Sequence, residues 1–96
     1  MSKGYLIARV RIQNDAGFNK FLNITKNLVD EHGGKLLVRN YNPENKEGKQ
    51  SGIVTVIEFD NMNQARKFYE SKEYSKAKKV RESSAETDLI LVEGVQ

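Results

Sequence analysis

The chain has 96 residues, 38% hydrophobic and 30% charged, with no Cys and a single His, His32. That length supports one domain with a modest core, and the residue counts exclude a disulfide framework, a thiolate metal site, a cysteine nucleophile and any site needing two imidazoles. Net charge is +3, and Leu, Ile, Val and Phe make up about a quarter of the chain, above the roughly 20% below which charged chains stay disordered. No apolar run approaches the ~18 residues of a membrane span, and no signal-peptide segment opens the sequence. The expectation is therefore a cytoplasmic protein with no membrane partner.

Tyr5-Leu-Ile-Ala-Arg-Val-Arg-Ile12 is aliphatic and β-branched, and reads as a first strand. Asn14 stands where a helix N-cap belongs. Phe18, Phe21, Leu22, Thr25, Leu28, Val29 and His32 then recur on one face of an α-helix. Gly33-Gly34 ends that helix, one glycine supplying the left-handed residue and the other releasing the chain. Lys35 to Tyr41 reads as a second strand, and the polar stretch from Asn42 to Ser51 as a loop, either a lid or a solvated turn.

Ile53 to Phe59 is the third strand and the most β-prone stretch of the chain. Asn61 with Gln64 resembles a capping box and opens a second helix that points Ala65, Phe68 and Tyr69 inward. Ser71 caps a further short helix, from Lys72 to about Arg81, with Tyr74, Ala77 and Val80 on one stripe. Asp88 to Glu93 is the last strand. The order is β-α-β-β-α-(α)-β, the ferredoxin-like or split βαβ arrangement. Right-handed crossovers then put the helices on one face of a four-stranded antiparallel sheet.

The opposite face of a monomeric sheet in water should be polar. Here both alternating sets contain aliphatic residues: Leu6, Ala8 and Val10 against Ile7, Ile53 and Ile57 against Val54 and Val56, Leu89 and Leu91 against Ile90 and Val92. One set must stay uncovered, so the chain is expected to pair with a second copy, sheet against sheet.

In that order, Lys3-Gly-Tyr5 leading into Ile7-Ala-Arg-Val10, Gly33-Gly34 before Leu37-Val-Arg39, and Ile57-Glu-Phe59 resemble a bacterial family. Ala65, Phe68-Tyr69, Ser71-Lys-Glu-Tyr74, Ala77-Lys, Arg81 and Asp88-Leu-Ile-Leu-Val-Glu-Gly94 complete the pattern. The family is Domain of Unknown Function 1330, in the dimeric α+β barrel superfamily. The resemblance implies a ferredoxin-like dimer with a pocket between sheet and helices, and it implies no activity. Three features depart from the family pattern. Asn40-Tyr41 replaces a usual Gly-Gly pair, Lys72 replaces a common Pro, and the loop from Pro43 to Ser51 is rich in Lys and Asn.

Arg39 and Glu58 are charges inside strands of a sheet expected to be covered on both faces. Burying either one unpaired costs several kcal/mol. A salt bridge across the hairpin, an anion-binding Arg beside a pocket Glu, and solvent exposure are the alternatives. Hairpin register decides among them: an odd sum of paired residue numbers puts Arg39 on the face of Glu58, and an even sum separates them.

His32 closes the first helix, where its role is capping or acid–base chemistry. Tyr69 and Tyr74, with Arg81 and Asp88, border a cavity at the sheet edge, and Asp88 caps or pairs with Arg81. Arg9 and Arg11 share a face with Ile7, from which one reaches the dimer cavity. No cofactor is expected, since His32 lacks a second metal ligand at motif spacing and nothing else supports haem.

A pI of about 9.2 raises the question of nucleic acid. Arg66, Lys67, Lys72, Lys76, Lys78, Lys79 and Arg81 stand against Glu70, Glu73 and Glu82, which reads as a solvated helical face. RNA-recognition domains share the element order, but the third strand has no aromatic before Phe59, so nucleic-acid binding is disfavoured. The function expected is binding of a small organic ligand in the pocket. The alternatives are a cofactor-independent enzyme of monooxygenase or isomerase type, and a metabolite-sensing or structural dimer.

Overall fold

A computed structural model describes residues 2–96. Its elements are β1 (Gly4–Ile12), α1 (Asp15–Glu31), β2 (Lys35–Asn40), β3 (Ile53–Phe59), α2 (Met62–Glu70), α3 (Lys72–Glu82) and β4 (Ala85–Glu93). The four strands form one antiparallel sheet in the order β2-β3-β1-β4. This is the ferredoxin-like arrangement that the element order implied. The smallest dimension is 16 Å, enough for one helical layer on one sheet. No helix among the described residues is long and apolar enough to cross a membrane.

The caps sit where the sequence puts them. The Asn14 side chain accepts from the Gly17 N–H at 3.0 Å, and the Asn61 side chain accepts from Gln64 N–H at 2.9 Å. The Ser71 hydroxyl serves two helices at once. It donates to the Phe68 carbonyl at the end of α2 and accepts from the Tyr74 N–H at the start of α3. At the end of α1, Gly33 has φ +70°. Its N–H reaches the Asp30 carbonyl, and the Gly34 N–H reaches that of Val29. These two bonds are a Schellman motif and satisfy carbonyls that the helix leaves unpaired.

Alternation sorts the sheet into two chemically different faces. Leu6, Ala8 and Val10 of β1, with Ile53, Thr55, Ile57 and Phe59 of β3, are buried under the helices. Phe18, Phe21, Leu28, Ala65, Phe68, Tyr74 and Ala77 close the core from above. Phe68 touches Phe59, Tyr74 and His32, with ring centroids 5.3, 4.8 and 5.7 Å away. The open face carries Ile7, Val54, Val56 and Val92, half-buried, and Ile90, 56% exposed. This is the uncovered aliphatic set that the alternation requires.

Three details depart from the sequence reading. β4 begins at Ala85, three residues earlier than Asp88, because Ala85, Glu86 and Thr87 pair with Ile12, Arg11 and Val10. A local pattern cannot show pairing contributed by a distant strand. β2 ends at Asn40 rather than Tyr41. It also contains a bulge at Leu37, so that Leu36 faces Ile57 while Val38 faces Val56.

Gly33→Ala is expected to cost about 1 kcal/mol in urea unfolding with an unchanged m-value. Its Cβ meets nothing, so the cost is the left-handed backbone alone. Gly34→Ala is expected to cost more, since its Cβ lands 2.8 Å from the Phe59 ring and 2.9 Å from Val29.

Candidate functional site

Two neighbouring residues in the middle of the sheet are small. Ala8 pairs with Thr55 on one side and with Leu89 on the other. Above them α1 leans on α3 and approaches the sheet along β2. A small floor and a raised roof leave space. A cavity of about 50 Å³ lies there, walled by Leu6, Ala8, Phe18, Phe21, Thr55, Phe68, Tyr74, Arg81 and Leu89 among others. It shares Leu22, Thr25, Val29, Arg39 and Ile57 with a wider cleft of about 370 Å³ between α1 and β2. The walls are mostly apolar, with a few polar groups at defined places, as in small-molecule sites generally.

Arg81 is the most unusual residue of this cavity. It is 5% exposed, and among the described residues no carboxylate lies within ion-pair distance of it. Its Nη1 donates to the Tyr74 hydroxyl. The guanidinium carbon lies 5.3 Å from the centroid of Phe21 and 5.8 Å from that of Tyr74. Its Nε–H is buried without a partner. Burial pushes the Tyr74 phenol above the ordinary tyrosine value of 10.0, against the opposing pull of the Arg81 guanidinium. Tyr74 therefore stays a neutral hydroxyl at neutral pH.

The other expected site residues divide by face. Arg39 pairs with Thr55, so it lies on the helix side and stands at the cleft, with Lys26 and Asp30 opposite. Glu58 pairs with Tyr5 in the sheet and lies on the open face, where it accepts a hydrogen bond from the Tyr5 hydroxyl at 3.1 Å. That bond raises the Tyr5 pKa, with desolvation adding to it. The register thus corrects the expectation of a cavity lined jointly by Arg39 and Glu58. Lys35 and Glu58 sum to an odd number, but beyond the bulge Arg39 and Thr55 sum to an even one. The hairpin salt bridge between the two is likewise absent among the described residues.

Asp88 does not pair with Arg81. It lies on the open face and accepts from Arg11 Nη2 at 3.1 Å, because β4 alternation turns it away from the helices. Arg9 also lies on the open face. It donates to Asn45 Oδ1 at 3.2 Å, tying the 41–52 loop to the sheet, and lines a hollow of about 280 Å³ with Ile7, Val54 and Ile90. Tyr69 packs against Tyr74 with centroids 5.2 Å apart and the rings tilted by 43°, and it carries the Lys78 ammonium over its ring. It borders a separate outer cleft with Glu82 and Glu86, of which Arg81 forms the inner wall.

His32 is the C-cap residue of α1. Its Nδ1 is 3.0 Å from the Leu28 carbonyl, which can only accept, so the proton sits on Nδ1. No three His, Asp or Glu side chains cluster as metal ligands among the described residues.

Sequence reasoning missed Ala8, Thr55, Phe18 and Phe21 as cavity walls. Their signal was present: two small residues on the helix-facing parity of the two central strands. It becomes readable only once the register aligns them. The basic stretch of α2 and α3 is exposed as expected at Arg66, Lys67, Lys72, Lys76 and Lys79, whereas Arg81 turns inward.

The comparisons agree with this architecture. The family model described as Domain of unknown function (DUF1330) matches residues 3–95. The chain belongs to the DUF1330 family. This DUF1330 chain matches none of the curated proteins. Among solved structures it resembles a protein of unknown function from Rhodopseudomonas palustris, with TM-score 0.82 and 13% identity over 99% of this chain and 84% of that one. SnoaB, a cofactor-independent oxygenase from Streptomyces nogalater, gives TM-score 0.72 and 11% identity over 100% and 96%. A dimeric protein of unknown function and ferredoxin-like fold from Bacteroides fragilis gives 0.62 and 16% over 95% of each chain. At these identities the likeness establishes the fold.

Arg81→Met is expected to leave thermal stability unchanged or to raise it by up to about 2 kcal/mol, because it removes an unpaired buried charge while keeping the packing. Calorimetry checks this, and a large loss would mark Arg81 as structural. In the alkaline range, the Tyr74 contribution to stability is complete below its unfolded pKa near 10 and is lost as pH rises through the higher folded value. Tyr74→Phe should remove from the phenolate absorbance titration a phase above the ordinary tyrosine value that Tyr5→Phe leaves in place.

Proposed function

We propose that this DUF1330 protein is a homodimer, joined through its open sheet face, that binds a small organic molecule between sheet and helices in each protomer. The observation that carries the binding reading is the apolar cavity with a buried, carboxylate-free arginine in its wall. A cavity of that kind costs packing energy, roughly 20 cal/mol for each Å² of its surface. Side chains one methylene larger at Ala8 or Thr55 would reduce it. A binding role accounts for the space and for the arginine together.

The dimer reading is supported by the uncovered aliphatic centre of the open face. Ile7, Val54, Val56, Ile90 and Val92 form a patch flanked by Tyr5–Glu58 at one end and by Arg11 with Glu86 and Asp88 at the other. Apolar centre and polar rim are the anatomy of a protein interface. The fold neighbour from Bacteroides fragilis is described as dimeric, which favours the same use of the face here.

A second reading follows from the pairing of the Tyr74 hydroxyl with a guanidinium in a dry site. Such a pair can stabilise negative charge developing on a substrate oxygen, and SnoaB has the same fold and a cofactor-free oxygenation activity. Oxygen uptake with a panel of polyphenols, with Tyr74→Phe as the control, tests it.

Sedimentation should give a mass near twice 11.0 kDa at micromolar concentration. Val56→Asp with Ile90→Asp should give a folded monomer, and a monomeric parent protein would sink the dimer. For the pocket, a fragment screen by heteronuclear NMR should concentrate shift changes on Phe21, Tyr74 and Thr55, and Ala8→Leu should suppress them. Changes confined to the outer surface would rule the cavity out.

A further inference from the structure

The geometry points to a ligand of one chemical class: a small monoanionic organic acid whose charged oxygen sits on the Arg81 guanidinium and the Tyr74 hydroxyl, with its apolar body in the cavity. This deepens the pocket reading above and rests on it.

The argument is a count of donors against acceptors. A guanidinium carries five N–H groups and no acceptor. Among the described residues Arg81 spends one of them, on Tyr74, and its Nε–H is buried and unpaired. Tyr74 is 3% exposed, and its oxygen already accepts from Arg81. Its own proton has no acceptor among the described residues, so the two side chains present donors in the same corner and no acceptor. Stacking over Phe21 and Tyr74 returns part of the cost of removing the cation from water. The penalty of burying an ion is larger than a cation–π contact repays. Stacking therefore falls short, and the missing part is what a bound anion supplies.

Charge and wall chemistry narrow the class. One buried cation balances one negative charge, and the neutral phenol adds a hydrogen bond without adding charge. The aromatic and aliphatic walls, Phe18, Phe21 and Leu89 among them, offer nothing to the remaining oxygens of a phosphate dianion. They suit a hydrocarbon or aromatic body with a carboxylate, enolate or phenolate at one end. Arg39, at the outer cleft shared with the cavity, adds attraction for an anion on its way in.

The experiment compares phenylacetate and hexanoate with phenylacetamide and hexanamide, titrated into the full-length protein as purified and followed by protein-observed NMR. The acids are expected to bind in the cavity about tenfold tighter than their amides or better, a difference of about 1.4 kcal/mol. They should also shift the Arg81 Nε–H resonance. Arg81→Met is expected to abolish that preference while the amides bind as before, and Tyr74→Phe, which keeps the ring packing, to weaken the acids alone. Should Arg81→Met fail to fold, Arg81→Lys and Tyr74→Phe read the same preference.

Amides that bind the cavity as tightly as the acids would overturn the anion assignment and leave the pocket reading standing. Acids that bind in the cavity with a preference untouched by Arg81→Met or Tyr74→Phe would overturn it as well. Failure of all four probes to perturb the cavity would overturn both readings.

Discussion

β1 is hydrogen-bonded on both sides, to β3 and to β4, without a break in either register. Its alternation is therefore imposed on the two strands beside it. Leu6, Ala8 and Val10 go up toward the helices, and Tyr5, Ile7, Arg9 and Arg11 go down to the open face. Each cross-strand partner must follow, because side chains directly opposite in a ladder point the same way. The buried core, the floor of the cavity and the uncovered aliphatic patch all inherit their composition from these seven residues. A one-residue slip of β1 would place two arginines on the helix-covered face, at a cost of several kcal/mol for each buried charge.

Much of this was legible in the sequence, and for an identifiable reason. The helix periods, the caps at Asn14, Asn61 and Ser71, the Gly33-Gly34 stop and the two-faced strands are short-range signals, so the chain states them locally. The family was legible too, since its residues run along nearly the whole chain in order. The candidate site was legible in part. Arg39, Tyr74 and Arg81 do border the cavity, whereas Arg9, Glu58 and Asp88 belong to the other side of the sheet. What separates the two groups is strand pairing across long stretches of chain. The sequence offers Asp88 the nearby Arg81, and only the β1–β4 register shows that Arg11 is the one it meets. The inward turn of Arg81 was also hidden. In a stretch with six other bases and three acids, one more base reads as solvent-facing until Tyr74 and Phe21 are seen to receive it.

The molecule therefore has two chemically distinct working surfaces separated by the thickness of one sheet. Below, charged pairs ring an aliphatic centre and are satisfied among themselves: Tyr5 with Glu58, Arg11 with Glu86 and Asp88. Above, a cation and a phenol stand in an apolar enclosure with unspent donors. The first surface has its polar groups paired and its apolar groups unpaired, as a protein interface requires. The second has the reverse, as a ligand site requires. Residues of β1 and β3 serve both at once, so the packing of one surface bears on the shape of the other.

The bulge at Leu37 sets how these compartments exchange residues. A single extra backbone unit in β2 carries Arg39 from the lower compartment to the upper one without any change of side chain. Chain length, and not only residue identity, thus decides which charges border the cavity. A one-residue insertion or deletion in this edge strand would move a charge from the open face to the cavity side in a single event. The edge strand has one hydrogen-bonded neighbour to satisfy, so it is also the place where such a change disturbs least.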